Sequence, residues 1–309
     1  MHLFLPSLVE RGRGERLLKN KNMKIKVKNL LFSYGYIKVL NISSAEFEKG
    51  KIYGIVGKNG VGKTTFFKAL TNIITNYSGD VQIDGQSVKT NLSVLSKVGI
   101  VLDDMELYKN QTGLFNMRYF GGLRGGFDEE QAMSFARELE IADSINRKVS
   151  TYSLGMNKKL ILLISIMNNA EILIFDEPFR GLDAKSVNWF KNHLLGLKKK
   201  GCTILISSHV QEDIESLSDK VLVMSNGDFS NAFDLKDTAQ EYVYRVEVSD
   251  KAAFAEVLEK LEIPFTVQGK LIKLELNETK YRELFKQAVA GDIEFHQIKK
   301  ESKFVELTK

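Results

Sequence analysis

Residues 57–65 form a glycine-rich loop, Gly-Lys-Asn-Gly-Val-Gly-Lys-Thr-Thr, between a short apolar segment and one able to start a helix. The loop fits the phosphate-binding pattern G-x-x-x-x-G-K-[ST], in which glycines let backbone N–H groups converge on phosphate oxygens. The N-terminus of the following helix adds the positive end of its dipole. An ordinary glycine turn between a strand and a helix is the alternative. We predict that the loop binds a nucleoside triphosphate through Gly57, Lys58, Asn59, Gly60, Val61, Gly62, Lys63, Thr64 and Thr65.

Two acidic residues after a second apolar segment supply groups that act on such a ligand. Residues 172–175 are apolar, and Asp176 and Glu177 follow them directly. We predict that Lys63 reaches the β- and γ-phosphates, while the Thr64 hydroxyl and Asp176 hold Mg²⁺. Glu177 is predicted to orient and deprotonate the water that attacks the γ-phosphate. The alternative is that the two acids only cap the next turn.

The composition is that of a globular protein without a membrane-spanning segment. The chain has 309 residues, 43% hydrophobic and 27% charged, which is enough for one large domain and a smaller one. Its longest apolar run, at residues 160–167, is too short to cross a bilayer. The single cysteine, Cys202, excludes an internal disulfide and suits a reducing cytosol. Since its neighbours predict a buried strand, we expect Cys202 to be a core residue rather than a reactive thiol.

The excess of positive over negative charge lies near the N-terminus. The net charge is +5, but residues 1–28 alone carry +6, so the remainder is close to neutral. A basic tail indicates nucleic-acid binding less strongly than a basic face on a domain, and we predict no nucleic-acid partner. A strand opening at Met23 is a natural beginning. Residues 1–22 are therefore predicted to be an N-terminal extension, disordered or arising from a non-native start.

The segments up to residue 235 alternate between apolar strands and amphipathic helices, which predicts an α/β layer built on a parallel sheet. Strand-like segments flank a turn at residues 34–36 and recur at 81–86, 98–102, 172–175 and 203–207. Helices are predicted at 65–76, 128–140, 153–169 and 184–200. We assign a first domain to residues 23–235.

A second unit is predicted over residues 240–309. An alternating strand begins at Tyr242, Asp250 can cap a helix, and a hairpin signal at Gln268-Gly269 separates two further strands. A helix around 278–289 and a strand at 293–298 complete the order β-α-β-β-α-β, which is a ferredoxin-like α+β plan. No residue pattern marks this unit as catalytic, so we expect an accessory domain.

Together these motifs resemble those of the ATP-binding cassette (ABC) ATPases, and the match runs from about Lys24 to Ser230. Residues 151–156 resemble the signature motif, in the Ser-Leu-Gly-Met form common among single-cassette exporters. Residues 179–183 resemble the segment that ends in the D-loop, and residues 207–209 the switch-histidine loop. The resemblance implies a P-loop NTPase fold with a mixed sheet core, an antiparallel β subdomain and a helical subdomain. It also favours ATP over GTP.

The resemblance implies that the nucleotide lies between two subunits. Ser153 and Gly155 would contact the ATP of the opposite subunit, and Asp183 would be the acid of the D-loop. Because Ser153 also precedes a predicted helix, an ordinary N-cap remains the alternative.

Within one subunit, Tyr34 occupies the position at which the family stacks an aromatic ring on adenine. Tyr36 is the competing stacking residue, and a turn aromatic packed on the sheet is a further alternative. His209 would form a hydrogen bond near the γ-phosphate and help to sense its loss.

The sequence departs from the family pattern in two places. Asp103, followed by Asp104, stands where the family usually has a glutamine; its carboxylate still offers oxygen to Mg²⁺ or to a bound water. Leu154 replaces a glycine of the signature motif, and Asn157-Lys158-Lys159 stands in place of the usual Lys-Gln-Arg type of segment. These lysines would either approach the phosphates of the partner or lie on a solvated helix face.

The implied function is that of the ATP-hydrolysing subunit of an exporter. Such a subunit works as a homodimer or heterodimer at the cytoplasmic face of the cell membrane, bound to a separate polytopic permease. The family logic places the docking surface within residues 105–120, whose alternative role is the core of the helical subdomain. Residues 300–308 resemble the tail of drug, antibiotic and bacteriocin exporter ATPases. The alternative function is a soluble ABC ATPase that regulates a ribosome or nucleic-acid complex.

Overall fold

The computed structural model describes residues 23–123, 126–167, 170–235 and 242–303. The chain divides into two compact units, with the division between Ala232 and Phe233. The prediction made for residues 1–22 lies outside the described residues.

The first unit contains two sheets. Its strands are β1 (Met23–Tyr34), β2 (Ile37–Glu48), β3 (Ile52–Val56), β4 (Ser78–Ile83), β5 (Gln86–Ser87), β6 (Val98–Val101), β7 (Ile172–Asp176), β8 (Thr203–Ser207), β9 (Lys220–Ser225) and β10 (Asp228–Asp234). One sheet has the order β2-β1-β4-β5 and antiparallel pairing. The other has the order β10-β9-β3-β8-β7-β6, and its strands from β9 to β6 are parallel.

The parallel strands are buried on both faces, which explains their continuous apolar sequences. The connecting helices are α1 (Lys63–Leu70), α2 (Gly113–Gly122), α3 (Glu129–Glu138), α4 (Leu154–Ile166), α5 (Ala184–Lys199) and α6 (Gln211–Leu217), with 3₁₀ turns at Leu92–Lys97, Ala142–Ser144 and Val149–Thr151. Because the strands are parallel, the ends of β3, β6, β7 and β8 lie along one edge of the sheet, where ligands bind in such folds.

The helix predicted over residues 65–76 ends earlier, at Leu70. The Thr71 hydroxyl donates to the carbonyl of Phe67 at 3.0 Å, and Asn72 has a φ of 55°. A residue in this left-handed region cannot continue a right-handed helix.

Helix α2 was not predicted as a helix, because glycines and aromatic residues dominate its sequence. Its start is defined by Thr112, whose hydroxyl accepts a hydrogen bond from the N–H of Phe115 at 3.0 Å.

The second unit has the predicted order of elements. They are β11 (Tyr242–Val248), α7 (Lys251–Lys260), β12 (Phe265–Gln268), β13 (Leu271–Leu276), α8 (Glu278–Ala290) and β14 (Phe295–Ser302). The sheet order β12-β13-β11-β14, antiparallel throughout, is that of a ferredoxin-like domain. The Tyr244 ring stacks on Tyr281 of α8 at a centroid distance of 4.3 Å within its apolar core.

The expectation that Cys202 is a core residue is confirmed. Cys202 is buried, and burial raises the pKa of its thiol to about 12, which suits a core residue. Within the described part of the chain, no helix combines the length and apolar character needed to span a bilayer.

Gly54 lies where β3 approaches α6. A Cβ atom there would lie 2.5 Å from Ile214 Cγ2 and 2.8 Å from Ser218 Oγ. We predict that Gly54→Ala lowers the free energy of unfolding by about 1–3 kcal/mol, as overpacking does. Denaturant unfolding followed by the fluorescence of Trp189, the single tryptophan, would measure it.

Gly196 provides the matched control, since it lies within α5 and a Cβ atom there would meet nothing within 4 Å. Gly196→Ala should raise the free energy of unfolding by about 0.5–1 kcal/mol, because alanine loses less backbone entropy in a helix. Equal effects of the two substitutions would contradict the close approach of α6 to β3.

Candidate functional site

A cleft of about 830 Å³ lies at the carboxyl edge of the parallel strands, a volume suited to a small-molecule ligand. It is lined by Asn59, Gly60, Gly62, Lys63, Thr64, Thr65, Asp103, Asp176, Glu177, Phe179, Arg180, Val187, Ser208, His209, Val210 and Asp213. The fold thus brings together the glycine loop, the acid pair and the switch histidine, which are far apart in the sequence.

The glycine loop is folded around the Lys63 side chain. Its Nζ donates to the carbonyl oxygens of Gly57 at 2.7 Å and of Lys58 at 3.1 Å. Gly57 and Lys58 therefore contact Lys63 within the loop, and neither of them lines the cleft. Burial lowers the pKa of Lys63, while the charges of Glu177 and Asp176 act in the opposite direction.

The Asp176 carboxylate is held by hydroxyl groups from two other elements. Thr64 Oγ1, at the start of α1, donates to Asp176 Oδ2. Ser207 Oγ donates to Asp176 Oδ1 at 2.5 Å, because the β7–β8 register pairs these two residues. Only 2% of Asp176 is exposed, and the two hydroxyl groups satisfy a carboxylate whose burial would otherwise be costly.

Glu177 leaves the line of β7 with a φ of 48°, a left-handed conformation that costs about 1 kcal/mol or more for a non-glycine residue. Its N–H donates to the carbonyl and the hydroxyl of Ser207, both at 3.2 Å. Its Oε2 accepts from the backbone N–H of His209 at 3.3 Å. The turn therefore directs the carboxylate away from the strand and toward the switch loop.

The Oε1 atom of Glu177 lies 3.3 Å from His209 Nε2 but has no hydrogen-bond partner with suitable geometry among the described residues. A buried oxygen of this kind can accept a proton or a hydrogen bond from a ligand water.

Asp103 lies in the cleft but contacts two cations. Its Oδ2 is 3.4 Å from Arg180 Nη1, and its Oδ1 is 3.9 Å from Lys158 Nζ. Burial lowers the pKa of Lys158, and the charge of Asp103 is the largest effect opposing it.

Lys159 forms an ion pair with Asp183 at 2.8 Å, and its ammonium holds the pKa of that carboxyl well below the usual range. Since Lys158 and Lys159 are each 9% exposed, the alternative of a solvated helix face is wrong for both.

Seven of the predicted site residues lie outside the cleft lining: Gly57, Lys58 and Val61 of the glycine loop, and Tyr34, Ser153, Gly155 and Asp183. Ser153 accepts from the N–H of Met156 at 3.2 Å as the N-cap of α4, and Asp183 accepts from the N–H of Ser186 at 2.8 Å as the N-cap of α5. Gly155 follows Ser153 in the first turn of α4. Tyr34 is 55% exposed and contacts Phe32 edge to face at 4.7 Å.

Ser207, Arg180 and Asp213 were not among the site residues predicted from the sequence. Ser207 could have been recognised as the residue that ends a strand beside β7. Asp213 accepts from Ser208 Oγ at 3.3 Å and pairs with Lys191 at 2.7 Å, which fixes the switch loop to α5. The Lys191–Asp213 pair could not be predicted from the sequence, because its two residues lie on different helices.

Residues 105–120 contain both buried and exposed large side chains. Met117 is fully buried, whereas Tyr108, Phe115 and Tyr119 are exposed to 40% or more. Phe115 and Tyr119 stack at a centroid distance of 5.9 Å, and Tyr108 stacks on Phe120 at 5.8 Å. We call these four residues the aromatic cluster.

The fold is similar to that of solved ABC ATPases. The structure of an ATP-binding subunit of an ABC transporter matches with a TM-score of 0.64 and 20% identity, over 85% of this chain and 99% of that one. A bacterial Atm1-family ABC exporter with ATP bound matches with a TM-score of 0.62 and 23% identity, over 74% of this chain and 44% of that one.

The structural matches show the fold, and the relatives identified by sequence show the family. A family model described as ABC transporter matches residues 40–180. The bacitracin transport ATP-binding protein of Enterococcus faecalis is 36% identical over 258 residues, 81% of this chain and 83% of that protein. An uncharacterized ABC transporter ATP-binding protein of Methanocaldococcus jannaschii is 34% identical over 245 residues, 78% of this chain and 87% of that protein. The chain therefore belongs to the ATP-binding ATPase subunits of ABC transporters.

Proposed function

We propose that this subunit hydrolyses ATP to power export through a separate membrane permease, to which it binds at the cytoplasmic face of the membrane. The observation that most directly supports ATP hydrolysis is the position of Asp176 and Glu177 beside the glycine loop. Asp176 is fixed by Thr64 and Ser207, and Glu177 is turned toward His209 with one oxygen unpartnered.

In the proposed reaction, the γ-phosphate lies at Lys63 and is attacked by a water held at Glu177. The Glu177 carboxylate accepts the proton of that water, and His209 forms a hydrogen bond near the γ-phosphate. The backbone N–H of His209 holds one oxygen of the Glu177 carboxylate, and the other oxygen lies 3.3 Å from His209 Nε2. The geometry supports a base positioned before the substrate binds.

The residues at the start of α1 and the end of β7 fit Mg²⁺, which prefers hard oxygen ligands. Thr64 offers a hydroxyl and Asp176 a carboxylate, already in contact. Asp103 lines the same cleft, and its direct role toward the metal stays a prediction. Bound Mg²⁺ would supply charge neutralisation for the β- and γ-phosphates.

We further propose that two subunits, identical or similar, enclose the nucleotides between them. Ser153 and Gly155 open α4, so the positive end of that helix is available to an anion from a partner. Asp183 lies at the start of α5, and its ion pair with Lys159 connects it to α4. Tyr34 is exposed at the end of β1, where it can stack on a base.

The proposal of export rests on the relatives. The bacitracin transport protein and the lantibiotic transport ATP-binding protein of Streptococcus pyogenes, which is 33% identical over 195 residues (63% of this chain, 84% of that protein), carry antibiotic transport in their names. The aromatic cluster is an apolar surface suited to docking on a permease.

We predict that Glu177→Gln lowers the ATP hydrolysis rate by a factor on the order of 10² or more while ATP still binds, because the amide keeps the shape but cannot accept the proton. Steady-state phosphate release and binding of a fluorescent ATP analogue would measure both, and size-exclusion chromatography should show an ATP-dependent dimer. Glu212→Gln, on the exposed side of α6, is the control and should hydrolyse normally. Full turnover by Glu177→Gln would refute the assigned base.

Ser207→Ala is expected to lower kcat roughly tenfold to a hundredfold, with a smaller change in KM, since Asp176 and Glu177 both lose a contact that positions them. Ser165→Ala is a matched control, because that buried hydroxyl donates to the Leu162 carbonyl at 2.6 Å, away from the cleft residues. A loss of rate no greater than that of the control would show that Ser207 has no positioning role.

Affinity purification of the chain from solubilised membranes should recover a stoichiometric polytopic protein. Replacing Phe115 and Tyr119 together with serine should reduce that recovery while ATP binding by the isolated subunit is retained. Recovery of ribosomes or DNA in place of a membrane protein would contradict the transport role.

A further inference from the structure

Arg180 is a cation in the cleft that the proposed reaction does not use. Four carboxylates line the cleft, whereas only Lys63 and Arg180 among its described lining residues carry a full positive charge, His209 aside. A triphosphate is a polyanion, so a site that must accept it gains from each cation within reach. Lys63 is held by the glycine loop, which leaves Arg180 as the cation without an assigned role.

The backbone of Arg180 is fixed, but its side chain is not. Its N–H donates to the carbonyl of Glu177 at 3.4 Å, and the two residues between them, Pro178 and Phe179, are buried. The Arg180 side chain is 75% exposed. The guanidinium can therefore change its direction without disturbing the turn that carries Glu177.

The contact between Arg180 and Asp103 is weak. Its single distance of 3.4 Å is longer than the 2.7–2.9 Å typical of charge-assisted hydrogen bonds. Half of the Asp103 side chain is exposed, so water screens the attraction. Asp103 also has a second cation, Lys158, at 3.9 Å, and that lysine is 11% exposed at its side chain. Asp103 thus keeps a counter-charge if Arg180 moves away.

We propose that Arg180 binds the γ-phosphate of the ATP held in its own subunit, while Asp103 stays paired with Lys158. The inference rests on the proposed function. Arg180 follows Glu177 by three residues on the same turn, so it starts from the side of the cleft where the γ-phosphate meets the attacking water. A planar guanidinium fork matches two phosphate oxygens, which a single ammonium cannot do.

The test is the affinity for ATP compared with that for ADP, which lacks the γ-phosphate. Both would be measured by calorimetry in the Glu177→Gln background, where ATP is not consumed, at concentrations at which light scattering shows a monomer. Adding Arg180→Gln should weaken ATP binding roughly tenfold or more, the effect of losing a charged hydrogen bond, and leave ADP binding unchanged. Arg180→Lys should give an intermediate loss.

Arg118→Gln is the matched control. Arg118 is also an exposed arginine paired with a carboxylate, Glu129 at 2.8 Å, but it lies on α2 and does not line the cleft. Its removal should change neither affinity.

Three outcomes would overturn the inference: no change with Arg180→Gln, an equal loss for ATP and ADP, or a loss that emerges only when the subunit dimerises. In each case ATP binding by the Glu177→Gln parent leaves the proposed function standing. If that parent itself fails to bind ATP, the proposed function is refuted together with the inference.

Discussion

The buried carboxylate of Asp176 is the contact on which the arrangement of the site depends. It accepts hydrogen bonds from Thr64 at the start of α1 and from Ser207 at the end of β8, and it ends β7 itself. A buried carboxylate is tolerated only where hydrogen bonds replace its lost hydration. These elements are therefore held in one relative position, and the glycine loop, the proposed base and the switch loop are attached directly to them.

Ion pairs of the α4 and α5 helices extend this arrangement outward. Two successive lysines of α4 bind different partners, Lys158 at Asp103 and Lys159 at Asp183. On α5, Lys191 binds Asp213 at the start of α6. Helix α4, which begins with the signature segment, is thus connected to the end of β6 and to α5, and α5 is connected to the switch loop. A movement of α4 would therefore displace groups at Asp103 and, through α5, at the switch loop.

The sequence predicted the fold class because its apolar strands are short, continuous and separated by clear helical patterns. The glycine loop and the acid pair could be recognised in the sequence because each directly follows one of these apolar strands. The C-terminal end of α1 was misjudged because Asn72 adopts a left-handed conformation that composition does not reveal. Ser207 was missed because its role arises from the register of two parallel strands, and the pairing of Lys158 with Asp103 was not predicted because the two residues are distant in the sequence.

The two kinds of contact around the cleft differ in their response to dissolved salt. The bonds at Asp176 join uncharged hydroxyl groups to a carboxylate that is 2% exposed, where mobile ions have little access. The Lys159–Asp183 pair includes a carboxylate that is 54% exposed. Salt screens such an exposed pair over a Debye length of about 8 Å at 0.15 M ionic strength. A rise in ionic strength would therefore loosen the connection between α4 and α5 while the centre of the site keeps its geometry.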